Sequence, residues 1–198
     1  MNFLTNFGDL TVLLPLSAVM LIWLLSLQLR SSAIWWVVAL ALCVCLTVLL
    51  KIYLYVCQPS TELHSPSGHT SLSTLVYGAI AFVVAAECGH WRRYFAIVIG
   101  LGLIASIGLS RVALGSHTPV EIALGFFIGA ASLAVFVWGY VRIGVVDVSL
   151  RPRLLVSTVL AILLNGTALN AEEMLHSIAR YVNAKVPICI ASDGVLAR

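Results

Sequence analysis

The sequence predicts an all-α, polytopic membrane protein with six transmembrane helices in one bundle. Three observations carry this. The 198-residue chain is 61% hydrophobic and only 10% charged, where a soluble domain carries about 25% charged residues. Its mean hydropathy is +1.06. Its apolar residues gather into six runs near the roughly 20 residues that a helix needs to cross a bilayer. One domain over residues 1–170, followed by a polar or amphipathic tail at 171–198, is the expected organisation.

The runs lie near 9–29, 33–56, 69–88, 94–113, 119–141 and 154–170. No Lys or Arg occurs between Met1 and Gln28, so the charged start of a cleavable signal peptide is missing and the first run reads as a retained helix. Trp35 and Trp36 near the start of the second run, and Trp91 between the third and fourth, fit interfacial anchors. The fourth run offers a small-residue surface at Gly100, Gly102, Ala105 and Gly108. The fifth carries a G-x-x-x-G pair, Gly125 and Gly129. Both read as close helix packing. Asn165 and Thr167 interrupt the sixth run. In the tail, Met174, Leu175, Ile178 and Val182 share a helical face opposite Glu172, Glu173 and Arg180. That pattern fits a helix along the interface or a frayed terminus.

Alternating spans put Arg30, Arg92, Arg93, Arg142, Arg151 and Arg153 on one side. The short loops of the other side carry only Lys51 and Arg111, although the tail adds Arg180, Lys185 and Arg198. Positive charge stays cytoplasmic, so the motif-bearing loops are expected to face outward: the periplasm or exterior for a chain in a bacterial inner membrane, the expected location, or the lumen in a eukaryote. The net charge of +3 is too small and too scattered to suggest nucleic acid. Of the five cysteines, Cys43, Cys45 and Cys88 read as small apolar residues. No pair has zinc-ligand spacing with nearby histidines. Cys57 and Cys189 fall on one predicted face, and a disulfide between them stays open.

The chemistry gathers at that same face. Lys51 lies near the end of the second run. Pro66-Ser67-Gly68-His69 opens the third. Ser110 and Arg111 end the fourth. His117 precedes the fifth, and Glu121 lies in its first turn. Ionisable groups at a membrane boundary are costly unless paired or used. A helix start adds outward N–H groups and a positive dipole end, a ready anion cradle, and Gly68 permits close approach of backbone to a phosphate. Two histidines in one anion site suggest a nucleophile and a general acid. His117 and Glu121, four apart, can meet on one helical face, where the carboxylate would fix the ring tautomer. Lys51 and Arg111 would stabilise charge on a transferring phosphoryl group. No acidic cluster suited to magnesium stands nearby, so metal-independent chemistry without a cofactor is expected.

These residues resemble the type 2 phosphatidic acid phosphatase superfamily, which also includes soluble acid phosphatases and vanadium haloperoxidases. Its motifs are Lys-x6-Arg-Pro, Pro-Ser-Gly-His and Ser-Arg-x5-His-x3-Asp. Here they read Lys51-x6-Gln58-Pro59, Pro66 to His69, and Ser110-Arg111-x5-His117-x3-Glu121. The resemblance implies a six-helix core, with His117 as the nucleophile that forms a phosphohistidine and His69 as the acid for the leaving group. It implies phosphate binding by Lys51, Gln58, Ser67, Gly68 and Arg111, with Ser110 in support, and a Glu121 that orients His117. Gln58 replaces an arginine, which removes one bidentate clamp; His64, close by in the sequence, is a candidate to replace part of that charge, with a plain solvated loop histidine as the alternative. Glu121 is one methylene longer than aspartate.

Plainer roles compete. Thr118-Pro119-Val120-Glu121 also reads as a capping box with proline at the first helical position, and Lys51 could snorkel to head groups. His90 and His176 read as surface residues. The expected function is a membrane lipid phosphatase. Its substrates would be lipid phosphomonoesters or diphosphates such as prenyl diphosphate, phosphatidate, phosphatidylglycerol phosphate or lipid A phosphate. The alternatives are a lipid phosphotransferase and a lipid-phosphate-binding relative without turnover. The expected partners are the lipid substrate and the bilayer.

Overall fold

A computed structural model describes residues 5–57, 65–87 and 90–142, and the single positions 162, 163, 178 and 181. The described residues form five helices and no strand: α1 (Leu10–Ser26), α2 (Arg30–Cys57), α3 (Gly68–Glu87), α4 (His90–Ala113) and α5 (Pro119–Val141). The last four are long and apolar enough to cross a membrane, while α1 has 17 residues. The expected sixth span, the amphipathic tail, Gln58, His64 and Cys189 lie outside the described residues, the four single positions apart.

Two helices begin earlier than the apolar runs do. The α2 helix starts at Arg30 and α4 at His90, so Trp91, Arg92 and Arg93 are helical and not a loop. A hydropathy run marks where the chain becomes apolar. Helical hydrogen bonding has no such requirement, and arginine is a good helix former. Arg93 also ties α4 to α3, since its Nε donates to the Ala85 carbonyl at 3.0 Å, near the end of α3.

Helix α3 is central. Of its apolar stretch 61% is buried, against 28% for α2, α4 and α5, and it packs mainly on α4 and α5. Glycine sets how closely. A Cβ on Gly125 would lie 2.5 Å from the Ser67 carbonyl, and one on Gly129 would strike the Ser71 carbonyl and Thr74. The G-x-x-x-G pair therefore brings the α5 backbone against the first turns of α3. In α4 the expected small-residue surface is divided. Gly100 closes on Ala81 and Gly108 on Ile122, whereas nothing stands within 4 Å of Gly102 and Ala105 is exposed.

The end of the bundle away from the motifs is aromatic. Trp36 meets Phe136 edge-on at 5.3 Å, Trp35 meets Trp138 at 5.0 Å, and Phe82 meets Tyr140 at 5.7 Å. Arg142 stacks over Trp138, 3.8 Å from the ring centroid. Trp36 is fully buried and its indole N–H donates to the Ser17 carbonyl at 3.0 Å. The interfacial-anchor reading is corrected for this residue: facing a neighbouring helix, the ring gains packing area and a partner for its one polar atom. Trp91, by contrast, is 85% exposed.

Candidate functional site

Three helix termini build the site: the end of α4 and the starts of α5 and α3. Helix α4 ends in a Schellman motif: Gly115 takes φ +65°, its N–H donates to the Val112 carbonyl at 2.9 Å, and the Ser116 N–H donates to the Arg111 carbonyl at 3.1 Å. Gly tolerates this left-handed conformation, which reverses the chain at once. Helix α5 therefore starts only five residues after α4 stops, and Arg111 and His117 stay near each other. Thr118 then caps α5. Its hydroxyl accepts from the Glu121 N–H at 3.3 Å, while Glu121 Oε2 accepts from the Thr118 N–H at 3.0 Å. This is the capping box the sequence offered as the plain role of Glu121.

The same carboxylate also holds the histidine. His117 Nδ1 lies 2.9 Å from Glu121 Oε2, with 7% and 4% of the two side chains exposed. An ionised carboxylate only accepts, so Nδ1 carries the proton and Nε2 keeps its lone pair. Cap and orienter are thus one residue. The other oxygen, Oε1, accepts from the Ser65 N–H at 2.8 Å, and the Glu121 carbonyl accepts from the Ser67 N–H at 3.1 Å. Glu121 fastens the Pro-Ser-Gly-His segment to the start of α5. The positive end of the α5 dipole further favours a buried negative charge there.

Helix α3 begins beside it. Ser67, fully buried, caps it by accepting from the Thr70 N–H at 3.4 Å and from the Thr70 hydroxyl at 3.0 Å. Gly68 opens the helix, and Lys51 Cε lies 4.0 Å from where a Gly68 Cβ would stand. Lys51 is 2% exposed. Its stem runs inward against the helix start, so it does not snorkel to a surface. The Lys51 and Arg111 charges both reach His117. Burial pushes the imidazole below its usual pKa; Glu121 opposes this by hydrogen bond and charge, and Arg111 and Lys51 add to it. The ring is therefore kept neutral to lower pH, in the form that can attack an electrophile.

His69 lies in the first turn of α3, and an element not foreseen in the sequence covers it. Residues 5–9 cross this end of the bundle before α1 begins. A side chain on Gly8 would meet Ile107 at 2.7 Å and the His69 Cβ at 3.3 Å. The Thr5 hydroxyl donates to Ser110 Oγ at 2.7 Å, and Ser110 in turn donates to the Ile107 carbonyl at 2.7 Å. Tyr77 donates to the Phe7 carbonyl at 2.7 Å. Ser110 thus anchors this strap. Below the cradle, Thr47 and Ser71 hydroxyls lie 3.0 Å apart. Their trace in the sequence is the i, i+3, i+4, i+7 spacing of Ser67, Thr70, Ser71 and Thr74, a hydroxyl stripe on an otherwise apolar span. The strap left no such pattern, because Thr5 and Gly8 are ordinary residues before a helix.

The fold and site define a helical membrane protein that gathers an oriented imidazole, two cations and a capped helix start at one end of its bundle, an arrangement suited to a phosphate group. The comparisons agree. The model of the PAP2 superfamily, the type 2 phosphatidic acid phosphatases, matches residues 55–144. That segment, which holds the second and third motifs, is similar to the PAP2 superfamily, whose members are in general phosphatases. An "Uncharacterized 22.5 kDa protein in cps region" of Klebsiella pneumoniae is 30% identical over 135 residues, 66% of this chain and 64% of the relative. The match therefore spans just under two thirds of that relative's length. No solved structure matches the chain.

Proposed function

We propose that the protein is a membrane lipid phosphatase that works through a phosphohistidine. The observation that carries this reading is the 2.9 Å contact between His117 Nδ1 and a buried Glu121, with Lys51 and Arg111 acting electrostatically on the same ring. In the first step His117 Nε2 attacks phosphorus, the bond from phosphorus to the lipid oxygen breaks, and His69 gives that oxygen a proton. In the second, water attacks phosphorus and returns a proton to His69. The P–N bond breaks and phosphate leaves. Lys51, Arg111 and the start of α3 at Gly68 hold the phosphoryl oxygens, where charge develops in the transition state. Ser67 and Ser110 keep the two helix ends in place, and Gln58 adds a neutral donor. The site is read as extracytoplasmic because Arg30, Arg92, Arg93 and Arg142 stand at the opposite end of the helices.

The test is phosphate release from a panel of purified lipid phosphates and diphosphates in detergent. The protein should hydrolyse at least one, and His117→Ala should lose roughly 10⁴-fold or more in kcat, the scale on which loss of a nucleophile acts, while still inserting. Near-normal turnover in that variant defeats the assignment. Adding an acceptor lipid separates hydrolysis from phosphotransfer, since a transferase releases less free phosphate when an acceptor is present.

A further inference from the structure

The two site histidines have different supports. His117 is held by Glu121, which also accepts from the Ser65 N–H, so both ends of that arrangement rest on α5. His69 stands one step further on, in the first turn of α3, where a helix lacks its full set of internal hydrogen bonds. Its neighbours are the strap of residues 5–9 and the last turns of α4.

The strap is a folded unit in its own right. The Gly8 N–H donates to the Thr5 carbonyl at 2.9 Å and the Asp9 N–H to the Asn6 carbonyl at 3.1 Å, while the Asp9 carbonyl accepts from Val12 and Leu13 and so joins the strap to α1. It is fastened to both helices that meet at His69. On the α3 side, the Tyr77 hydroxyl donates to the Phe7 carbonyl. On the α4 side, the buried Thr5 hydroxyl donates to Ser110 Oγ. A serine has one hydroxyl proton, and Ser110 gives it to the Ile107 carbonyl, so a lone pair remains for Thr5. Between these ties Gly8 fills the slot between α3 and α4. A Cβ there would stand 2.7 Å from Ile107 Cγ2 and 3.3 Å from the His69 Cβ, where non-bonded carbons pack at about 3.5–4.0 Å. Ile107 is fully buried, and a β-branched side chain in a helix has one strongly preferred rotamer. It cannot swing aside, so any side chain at position 8 presses the strap and the His69 turn apart.

We propose that the strap positions His69 as the acid for the leaving group, with Thr5 and Gly8 as positioning residues that act through Ser110 and the His69 Cβ. The inference rests on the phosphatase reading above. An imidazole reaches its target by two rotations from Cβ, so the place of Cβ sets the arc that the ring nitrogens sweep. A general acid must come within about 2.6–3.2 Å of the oxygen it protonates, and a misplacement of about 1 Å can cost about 10²-fold. The strap serves the acid and leaves the nucleophile to Glu121.

The experiment varies the leaving group. When the bond from phosphorus to oxygen breaks, a benzyl alkoxide must take the proton of His69, whereas p-nitrophenolate leaves without one. The ratio of kcat/KM for p-nitrophenyl phosphate to that for benzyl phosphate, compared between variants, therefore reads the acid and not the nucleophile. In the full-length protein in detergent, Gly8→Ala should raise this ratio about tenfold or more. Thr5→Val, which keeps the shape and loses the hydroxyl, should raise it less, and Thr5→Ser should keep the wild-type value. Trp36→Phe, at the aromatic end, should lower the melting temperature and leave the ratio unchanged. Equal losses on both esters in the strap variants overturn the proposal, as does a ratio that rises in Trp36→Phe as well. Thr5→Val carries the test if Gly8→Ala fails to fold. Where the wild type cleaves neither ester, amide hydrogen exchange decides: Thr5→Val should exchange faster over residues 66–70 and unchanged over 117–123, and no change over 66–70 overturns the proposal. The phosphatase reading itself fails separately, on the lipid panel.

Discussion

At one end of the bundle Trp35, Trp36, Phe82, Phe136, Trp138 and Tyr140 pack edge against face. At the other, Lys51, Ser67, Ser110 and Glu121 are all buried, and backbone groups hold most of the hydrogen-bond ends. The same helices supply both. The aromatic end gains stability from area and shape and asks little of any single atom. The polar end must satisfy each donor and acceptor it buries, and it does so through caps. Glu121 alone accepts from the Ser65 N–H, the Thr118 N–H and His117. Substitutions at the aromatic end should therefore change stability alone, whereas those at the polar end should change chemistry first.

Beyond the loss of the proposed nucleophile His117, the largest expected effect is at Glu121. Glu121→Gln places an amide among three donors, so kcat should fall by about 10²- to 10⁴-fold, the range over which a positioned acid–base group contributes. Stability should drop by about 1–3 kcal/mol through unsatisfied N–H groups. The pH profile gives the sharper check. On the proposed mechanism His117 must be neutral to attack, so activity should decline as pH falls through its lowered pKa. Glu121 raises that pKa, while burial, Arg111 and Lys51 lower it. Without the carboxylate the acid limb should move to still lower pH; a limb that moves upward would break the account of how the ring is held.

Next comes glycine. Gly129→Ala pushes a methyl group into the Ser71 carbonyl and Thr74; overpacking of this kind costs about 1–3 kcal/mol, and here it also shifts the α3 cradle. Gly102→Ala, with open space around it, should stabilise α4 by up to about 1 kcal/mol through helix propensity. Thermal unfolding in detergent, with activity in parallel, separates the pair: equal shifts would mean that α3 and α5 are not in the contact described. At the aromatic end, Trp36→Phe removes the bond to Ser17 and should cost about 1 kcal/mol with kcat unchanged. The smallest effect is expected from chelation. Turnover should persist in EDTA, and its abolition would show that a metal ion takes part.

Much of the site was legible in the sequence because its chemistry is carried by residues with few other reasons to stand at a membrane boundary. His69, Arg111 and His117 are of that kind. The two readings of Glu121, capping box and orienter, were both available, and one 2.9 Å contact shows that they coexist, since a carboxylate has two oxygens and several lone pairs. Trp36 was misjudged because a hydropathy pattern gives an aromatic residue its depth but not the direction it faces. The strap was invisible for a related reason: Thr5 and Gly8 matter only through Ser110 and His69, about 100 and 60 positions away in the chain.

By itself the sequence determined that the chain forms helices long and apolar enough to cross a membrane, and which residue types meet at one end of them. Length, apolarity and helix-end motifs are local properties, and the bilayer leaves a chain few ways to satisfy its backbone. Tertiary structure alone decided that Gly125 and Gly129 bring α5 onto α3, and that Glu121 joins the start of α5 to the Pro-Ser-Gly-His segment through Ser65, Thr118 and His117. Those are contacts between surfaces remote in the chain, fixed by side-chain volume and direction, which no local pattern records.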